Sequence, residues 1–180
     1  LGGLAGVVVS GAELVNCVNE GEVTSAGTYT SGLVGYSNAD VKYVNCGNKG
    51  KITYIGAGTT SKLVKSYLSG LIGYCYTDSI IGCYNTGEII AKEASTVSTV
   101  SGLIGMATAN KDSQPYYIKD CYNTASITSA ANNAGLIVDV NSSGNSKFYI
   151  EGCYNTGDVS STATGTASST YTAGIATLYT

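Results

Sequence analysis

The sequence predicts an all-β fold, a parallel β-solenoid (β-helix) with about three short strands per turn and about five to six turns. Two repeated motifs and a composition poor in charged residues carry this prediction. The first motif reads Φ-x-x-Cys-x-Asn-x-Gly-x-Φ, where Φ is apolar, and it occurs five times, at Cys17, Cys46, Cys83, Cys121 and Cys153. Self-similarity at a period of about 20–50 residues is typical of architectures in which each repeat stacks on its neighbours.

Within the motif, the residues from the cysteine onward follow the two-residue period of a β-strand. In the third copy, Cys83, Asn85 and Ile89 share a face that we predict to be buried, while Glu88 shares the opposite, exposed face. Four copies have glycine four residues after the cysteine, where it favours a sharp turn, and the fourth copy has alanine. The apolar residue Ile80 lies three residues before Cys83, an odd number that breaks the two-residue alternation. This break predicts a bulge or bend near Gly82.

Parallel stacking of the copies at about 4.8 Å places equivalent side chains above one another. A side-chain amide both donates and accepts, so an asparagine column can bond the copies above and below or the corner backbone. A buried asparagine without such partners would cost about 1–3 kcal/mol. The predicted structural ladder comprises Cys17, Cys46, Cys83, Cys121, Cys153, Asn19, Asn48, Asn85, Asn123 and Asn155.

A second motif alternates with the first and consists of a small residue, glycine, an apolar pair and usually glycine, as in Ser69-Gly70-Leu71-Ile72-Gly73. We expect it to form another short strand, with its leucine inward, on a second face of the coil. The spacing between motifs varies, so we assign the inserted residues to long loops at 56–69, 91–100, 108–117 and 140–149. The alternative fold is a β-sandwich or barrel of antiparallel hairpins, in which strands occupy different environments and rarely keep one motif at matched offsets.

The composition excludes several functional classes. Hydrophobic residues make up 43% of the chain and charged residues 12%, the net charge is −3, and there is no histidine. The chain has no basic run that would bind a phosphate backbone and no apolar stretch long enough for a membrane-spanning helix. Without histidine, a catalytic Ser-His or Cys-His pair is impossible. We therefore predict no nucleic-acid partner, no membrane insertion, no cofactor, and no catalytic, cofactor-binding or metal residues.

The cysteines and carboxylates support structural interpretations. One motif cysteine per turn predicts a column of buried thiols, because zinc sites usually need close cysteine pairs and stacked Cβ atoms fit disulfide geometry badly. Cys75 lies outside the motif, so a Cys75–Cys83 disulfide is an alternative for that residue. Glu22, Lys51, Glu88 and Asp158 share one motif offset and predict alternating charges on an exposed face; Asp112 and Asp120 flank a loop and are a weak signal for a cation.

Three tyrosines share the outward position that follows the motif cysteine: Tyr84, Tyr122 and Tyr154. A row of exposed tyrosines can serve as a platform for a sugar ring or a protein partner. It can equally be an aromatic ladder that stabilises parallel strands. The sequence leaves both interpretations open.

The segments Ser-Gly-Leu-Ile-Gly at 101–105 and Cys-Tyr-Asn-Thr-Gly-Glu-Ile at 83–89 resemble the GLUG-type repeat, and the resemblance covers nearly the whole chain except the loops. This repeat occurs in large bacterial cell-surface and secreted proteins, including adhesin-like proteins and non-catalytic regions of IgA-cleaving metallopeptidases. The chain departs from the pattern at Ala125 and in the last two copies of the second motif. The resemblance implies an extracellular stalk or adhesion segment.

We therefore expect residues 1–180 to form a single repeat domain, a fragment of a longer array, that serves as a non-catalytic stalk, adhesin or filament scaffold. Its expected partners are flanking repeats or further copies at its ends, and a host or surface glycan or protein. A carbohydrate-binding module that uses the tyrosine row is one alternative. A β-helical polysaccharide-cleaving enzyme, which would need paired carboxylates about 5–10 Å apart, is a second alternative.

Overall fold

The computed structural model describes residues 1–56, 65–76, 79–91, 97–109, 115–142, 147–163 and 171–176. These residues form no helix; they form short strands that pair in parallel with the equivalent strands of neighbouring windings. The predicted parallel β-solenoid is confirmed, and the antiparallel sandwich or barrel is wrong.

Each winding contributes five strands. The first winding contains β1 (Ala5–Val8), β2 (Glu13–Val15), β3 (Val18–Asn19), β4 (Val23–Ser25) and β5 (Tyr29–Ser31). The second winding contains β6 (Val34–Ser37), β7 (Lys42–Val44), β8 (Gly47–Asn48), β9 (Ile52–Tyr54) and β10 (Ser66–Ser69).

The remaining windings repeat this order. The third winding contains β11 (Ile72–Cys75), β12 (Ser79–Ile81), β13 (Tyr84–Asn85), β14 (Ile89–Ala91) and β15 (Val97–Ser101). The fourth winding contains β16 (Ile104–Ala109), β17 (Tyr116–Lys119), β18 (Tyr122–Asn123), β19 (Ile127–Ser129) and β20 (Asn132–Ala134). The fifth winding contains β21 (Ile137–Ser142), β22 (Phe148–Glu151), β23 (Tyr154–Asn155), β24 (Val159–Ser161) and β25 (Thr172–Ala173).

Equivalent strands stack into five parallel sheets of five strands each. We number the sheets by their first strand, so sheet 1 contains β1, β6, β11, β16 and β21, and sheet 5 contains β5, β10, β15, β20 and β25. Four full windings carry the chain from β1 to β21, and β22–β25 complete the fifth level. A further bridge between Ile137 and Ala176 follows on sheet 1.

The number of strands per winding differs from the prediction of about three, because the cysteine motif contains two corners rather than one. The residue before the cysteine adopts a left-handed backbone in every copy, with φ between 52° and 62°. Asparagine, aspartate and glycine are the residues that tolerate this conformation, and the five copies use only these three types. These corner residues are Asn16, Asn45, Gly82, Asp120 and Gly152. The predicted bend near Gly82 is therefore a corner between sheets 2 and 3.

The second motif also spans a corner rather than forming one strand. In the third copy, Ser69 ends β10, Leu71 lies in the corner and Ile72 begins β11. Leu71 is buried as predicted, together with its equivalents Leu33, Leu103 and Leu136. All four predicted loops are shorter than expected, since their last residues belong to β10, β15, β17 and β22. Most of the other residues of those loops lie outside the described part of the chain.

The interior contains two hydrophobic clusters. The larger cluster lies among sheets 1, 2 and 3 and includes the motif cysteines and the second-motif leucines. The smaller cluster lies between sheets 4 and 5 and includes Ile52, Leu68, Ile89, Val100 and Ile127. The asparagine column and the corner between sheets 5 and 1 approach each other between these clusters.

Candidate functional site

The asparagine column forms a continuous ladder of side-chain amides through all five windings. Each Nδ2 donates to the Oδ1 of the next asparagine, with N···O distances of 2.8 Å for Asn19–Asn48, Asn48–Asn85 and Asn85–Asn123 and 2.7 Å for Asn123–Asn155. The three central asparagines are completely buried. The predicted column is therefore a directional chain of hydrogen bonds from the first winding to the last.

The second N–H of each amide is also used. The Nδ2 atom of each asparagine donates to the carbonyl oxygen two residues ahead, at distances of 2.7–3.0 Å. In the first and third copies the backbone N–H of that residue, Gly21 or Gly87, donates back to the asparagine Oδ1 at 3.3 Å. The amide therefore holds both its neighbours and its own corner, which satisfies a polar group that would otherwise be costly to bury.

The motif cysteines form a second ladder beside the first. The backbone N–H of Cys46 donates to the Cys83 sulfur at 3.4 Å, and the same contact joins Cys83 to Cys121 and Cys121 to Cys153. Each thiol in turn donates to the carbonyl oxygen two residues before it, at 3.1–3.5 Å. Weak S–H and N–H···S hydrogen bonds thus satisfy a buried row of small side chains.

The thiols in the middle of this ladder are poor nucleophiles. For Cys83, the hydrogen bond with Cys121 lowers the pKa, but the hydrogen bond with Cys46 and burial raise it to about 12. For Cys121, the hydrogen bond with Cys153 lowers the pKa, while that with Cys83 and burial raise it to about 12. The hydrogen bond with Cys83 lowers the pKa of Cys46, but the Cys46 side chain is completely buried. Reactive thiols need both a thiolate and exposure, and the three central thiols, Cys46, Cys83 and Cys121, lack exposure.

Cys75 does not pair with Cys83. All six cysteines are reduced thiols, and the Cys75 sulfur lies 2.7 Å from the hydroxyl oxygen of Tyr116 in the larger core cluster. The structure therefore does not contain the alternative Cys75–Cys83 disulfide. It places Cys75 at the end of strand β11, in sheet 1.

The three predicted surface tyrosines lie in one stack on the outside of sheet 3. The ring centroids are 5.4 Å apart for Tyr84–Tyr122 and 5.1 Å apart for Tyr122–Tyr154, and the ring planes are nearly parallel. Tyr84 also covers Gly47, because a Cβ built on Gly47 would lie 2.3 Å from the Tyr84 ring. The rings of Tyr84 and Tyr122 are therefore sandwiched between neighbours and present their edges to solvent. A sugar ring packs on an aromatic face, so this stack is better suited to stabilising strands.

The predicted charge alternation on the exposed face is present in part. Lys51 pairs with Glu88 of the next winding at 2.7 Å, and Lys49 pairs with Glu20 at 2.8 Å. All four side chains are at least 41% exposed, so these pairs contribute little to stability.

The predicted weak cation signal gains no support. Asp112 lies outside the described residues, and Asp120 occupies a left-handed corner between sheets 2 and 3. Among the described residues, no three side chains of histidine, cysteine, aspartate or glutamate come together in a way that could hold a metal ion.

A second group of tyrosines was not predicted. Five rings, which we call the tyrosine cluster, lie where the outer faces of sheets 5 and 1 meet: Tyr29, Tyr36, Tyr67, Tyr74 and Tyr76. The sequence holds a signal for it, because Tyr29 and Tyr67 stand two residues before the serine of the second motif, and Tyr36 and Tyr74 follow its second glycine.

The described part of the chain contains no helix long and apolar enough to cross a membrane. No protein-family model, curated protein or solved structure matches this chain. The fold and its ladders define a β-solenoid repeat protein.

Proposed function

We propose that this chain is a non-catalytic structural segment of a secreted or surface-anchored bacterial protein, acting as a stalk, adhesin or filament scaffold. The observation that carries the proposal is the amide ladder, in which four consecutive side-chain hydrogen bonds join all five windings along one line. A repeat of this kind adds length one winding at a time, because each winding contacts mainly its neighbours.

The conserved motif positions within the chain serve stacking. The motif cysteine, asparagine and β-branched residue point inward, where they contact their equivalents one winding away. The outward position after the cysteine forms the stack of Tyr84, Tyr122 and Tyr154, in which neighbours cover both faces of the Tyr84 and Tyr122 rings. These features support a scaffold rather than a module that binds sugars on the tyrosine row.

The end windings support extension of the array. Among the described residues, the Asn19 Oδ1 accepts from the Gly21 N–H and the Asn155 Nδ2 donates to the Gly157 carbonyl oxygen, so the two ends of the ladder carry complementary acceptor and donor groups. The apolar end of the first winding is also uncovered, since Leu4 is 48% exposed whereas its equivalent in the second winding, Leu33, is completely buried. Unpaired strand edges of this kind are covered in repeat proteins by further windings, caps or another copy. We propose flanking windings, or end-to-end contact with a second copy, as the partner at these ends.

The resemblance to the GLUG-type repeat supports an extracellular location. It rests on motifs that the fold now explains physically, since the glycine of Ser-Gly-Leu-Ile-Gly lies against the asparagine of Cys-Tyr-Asn-Thr-Gly. Four of the six thiols are buried, which protects them from oxidation in an extracellular setting.

The proposal is tested by changing the number of windings. Residues 84–121 constitute one winding, and their deletion joins Cys83 to Tyr122 with the order of motifs intact. Versions with this winding deleted or duplicated are placed between a surface anchor and an epitope tag on bacterial cells. We expect each version to fold, its length in solution scattering to change by about 4.8 Å per winding, and antibody access to the tag to rise with length. Global unfolding on deletion, or access independent of length, would contradict the proposal.

A further inference from the structure

Opposite charges stack on each other in the first two windings. In sheet 2, Glu13 of the first winding is in register with Lys42 of the second. In the corner between sheets 3 and 4, the Lys49 Nζ lies 2.8 Å from the Glu20 Oε1. All four side chains are exposed, so these columns lie on the outer surface of the solenoid.

A third column continues the alternation into the third winding. The backbone N–H of Val23 donates to the Lys51 carbonyl oxygen at 2.8 Å, which places the preceding residue, Glu22, over Lys51. Lys51 pairs in turn with Glu88 of the third winding at 2.7 Å. Opposite charges on adjacent strands stabilise a sheet, and like charges directly opposite each other destabilise it. The sign of the charge in this column therefore changes from winding to winding, as stacking favours.

The far edge of the first winding, on the side away from the second winding, is open. Leu14 and Cys17 are partly exposed there, whereas their equivalents in the second winding, Tyr43 and Cys46, are buried. Residues 1–32 contain three glutamates and no lysine or arginine. The open edge therefore offers strand backbone and an apolar interior to a further winding, within a rim of negative charge.

The amide ladder gives this edge a polarity. The Asn85 Oδ1 accepts from the Asn48 Nδ2 at 2.8 Å and from the Gly87 N–H at 3.3 Å. Among the described residues, the Asn19 Oδ1 accepts from the Gly21 N–H only. Every ladder Nδ2 donates towards the following winding, so a partner that continues the ladder must present the end of a solenoid. Two first windings face to face would instead place acceptor against acceptor and glutamate against glutamate.

The last described winding of a second copy offers the amide donor, on Asn155, but not the matching charges. Its residues in the three charged columns are Tyr149, Thr156 and Asp158. Head-to-tail stacking of two copies would therefore place Asp158 against Glu22 and would supply no cation to any of the three glutamates. The polarity of the ladder disfavours one way of joining two copies, and the charges disfavour the other.

We propose that the open edge of the first winding binds a β-solenoid winding that carries lysine in these three columns, and that its glutamates disfavour a second copy of this chain. The second winding is the template for such a partner, because it already stacks on the other side of the first winding with Lys42, Lys49 and Lys51 in these columns. Single exposed ion pairs contribute little, but three matched columns and the avoided like-charge contact together give selectivity. The inference rests on the proposed scaffold function and chooses between the two partners proposed for this end.

The test mixes two forms of the full chain. The wild type supplies the acidic edge. The lysine-end variant carries Thr156→Lys and Asp158→Lys, two exposed positions in the columns of Lys49 and Lys51. It also carries Glu20→Gln and Glu22→Gln, which limit its association with itself.

The control variant has the same two glutamine substitutions, but its lysines are Thr124→Lys and Ser126→Lys. These positions lie in the same columns one winding earlier, away from the end. Sedimentation velocity at about 50 mM and about 300 mM salt measures association, since the Debye length shortens over this range. Circular dichroism and the melting temperature of each variant report folding, and Asp158→Lys alone serves as a second, milder variant.

We expect the lysine-end variant to bind the wild type at least about tenfold more tightly than either protein binds itself. The preference should fall at the higher salt concentration, and the control variant should show no gain over the wild type alone. Absence of a gain for the lysine-end variant, or an equal gain for the control variant, would overturn the proposal. Neither result would contradict the scaffold function, which is tested by the change of rod length with the number of windings.

Discussion

Gly70 lies directly against Asn85, so that a Cβ built on Gly70 would lie 2.5 Å from the asparagine Cγ. The two residues belong to different motifs, and their contact explains why the motifs alternate along the chain. The glycine corner between sheets 5 and 1 lies against the amide ladder, and together they separate the two hydrophobic clusters. The same contact joins Gly102 to Asn123 at 2.6 Å and Gly135 to Asn155 at 2.4 Å.

The first prediction concerns this corner. Gly70→Ala would place a methyl group 1.9 Å from the carbonyl oxygen of Gly102 as well as against Asn85, so the corner must shift. We expect the free energy of unfolding to fall by about 1–3 kcal/mol or more, as overpacking does in buried sites. Urea unfolding measures it. Gly174→Ala is the matched control, because Gly174 holds the same motif position with nothing within 4 Å of its Cβ direction. Equal effects at both positions would contradict the steric explanation.

The second prediction concerns the amide ladder. Asn85→Leu removes the acceptor of Asn48 and the donor to Asn123, and both of these neighbours are completely buried. We expect a loss of about 1–3 kcal/mol for each buried group left without a partner, measured as a lower melting temperature and urea midpoint. Asn19→Leu, at the half-buried end of the ladder, affects only one neighbour and should cost less. An unchanged melting temperature for Asn85→Leu would show that the amides do not stabilise the interior.

The sequence predicted the ladders because their inward positions recur at fixed offsets, and this regularity needs no knowledge of where the chain turns. It did not predict five strands per winding. The signal was present in Asn16, Asn45, Gly82, Asp120 and Gly152, which share only a tolerance for left-handed backbone, and a search for identical residues misses such a position.

The tyrosine cluster illustrates a different limit. Tyr29 and Tyr74 are 45 residues apart in sequence, yet their rings are 5.5 Å apart. Their contact depends on the inward fold of the corner between sheets 5 and 1, and that fold depends on Gly70 and its equivalents lying against the asparagines. The sequence alone gives the two columns but not the angle between the sheets that carry them.

The third prediction concerns alkaline pH. In the folded protein the pKa values of Cys83 and Cys121 are raised from about 9 to about 12, so both thiols stay protonated while those of the unfolded chain ionise. A raised pKa stabilises the fold below the unfolded value, and this stability is lost as the pH rises from about 9 towards about 12.

We therefore expect the loss of stability between pH 8 and pH 10 to be smaller by about 2–3 kcal/mol in the double variant Cys83→Ala/Cys121→Ala than in the wild type. Urea unfolding at the two pH values measures this difference, which is independent of the cavities that the variant creates. The same pH dependence in both proteins would contradict the raised pKa values.

The fourth prediction concerns the surface charges. Glu88→Gln breaks the ion pair with Lys51, whose two side chains are 41% and 45% exposed. Pairs this exposed are screened by water and salt, so we expect a change of less than about 1 kcal/mol. The urea midpoint in low and high salt measures it, and a larger loss would show that the charged face contributes to stacking. The Lys51–Glu88 ion pair and the Asn85–Asn123 hydrogen bond both join adjacent windings. Comparing Glu88→Gln with Asn85→Leu therefore compares an exposed contact with a buried one.

The most direct test of the stacked arrangement is an NMR experiment on protein labelled with ¹⁵N at the asparagine side chains. We predict nuclear Overhauser contacts that link Asn48 to Asn85 and Asn85 to Asn123, together with slow exchange of these amide protons with solvent. Rapid exchange, or contacts that place Asn85 away from both of these asparagines, would contradict the in-register stacking of the windings.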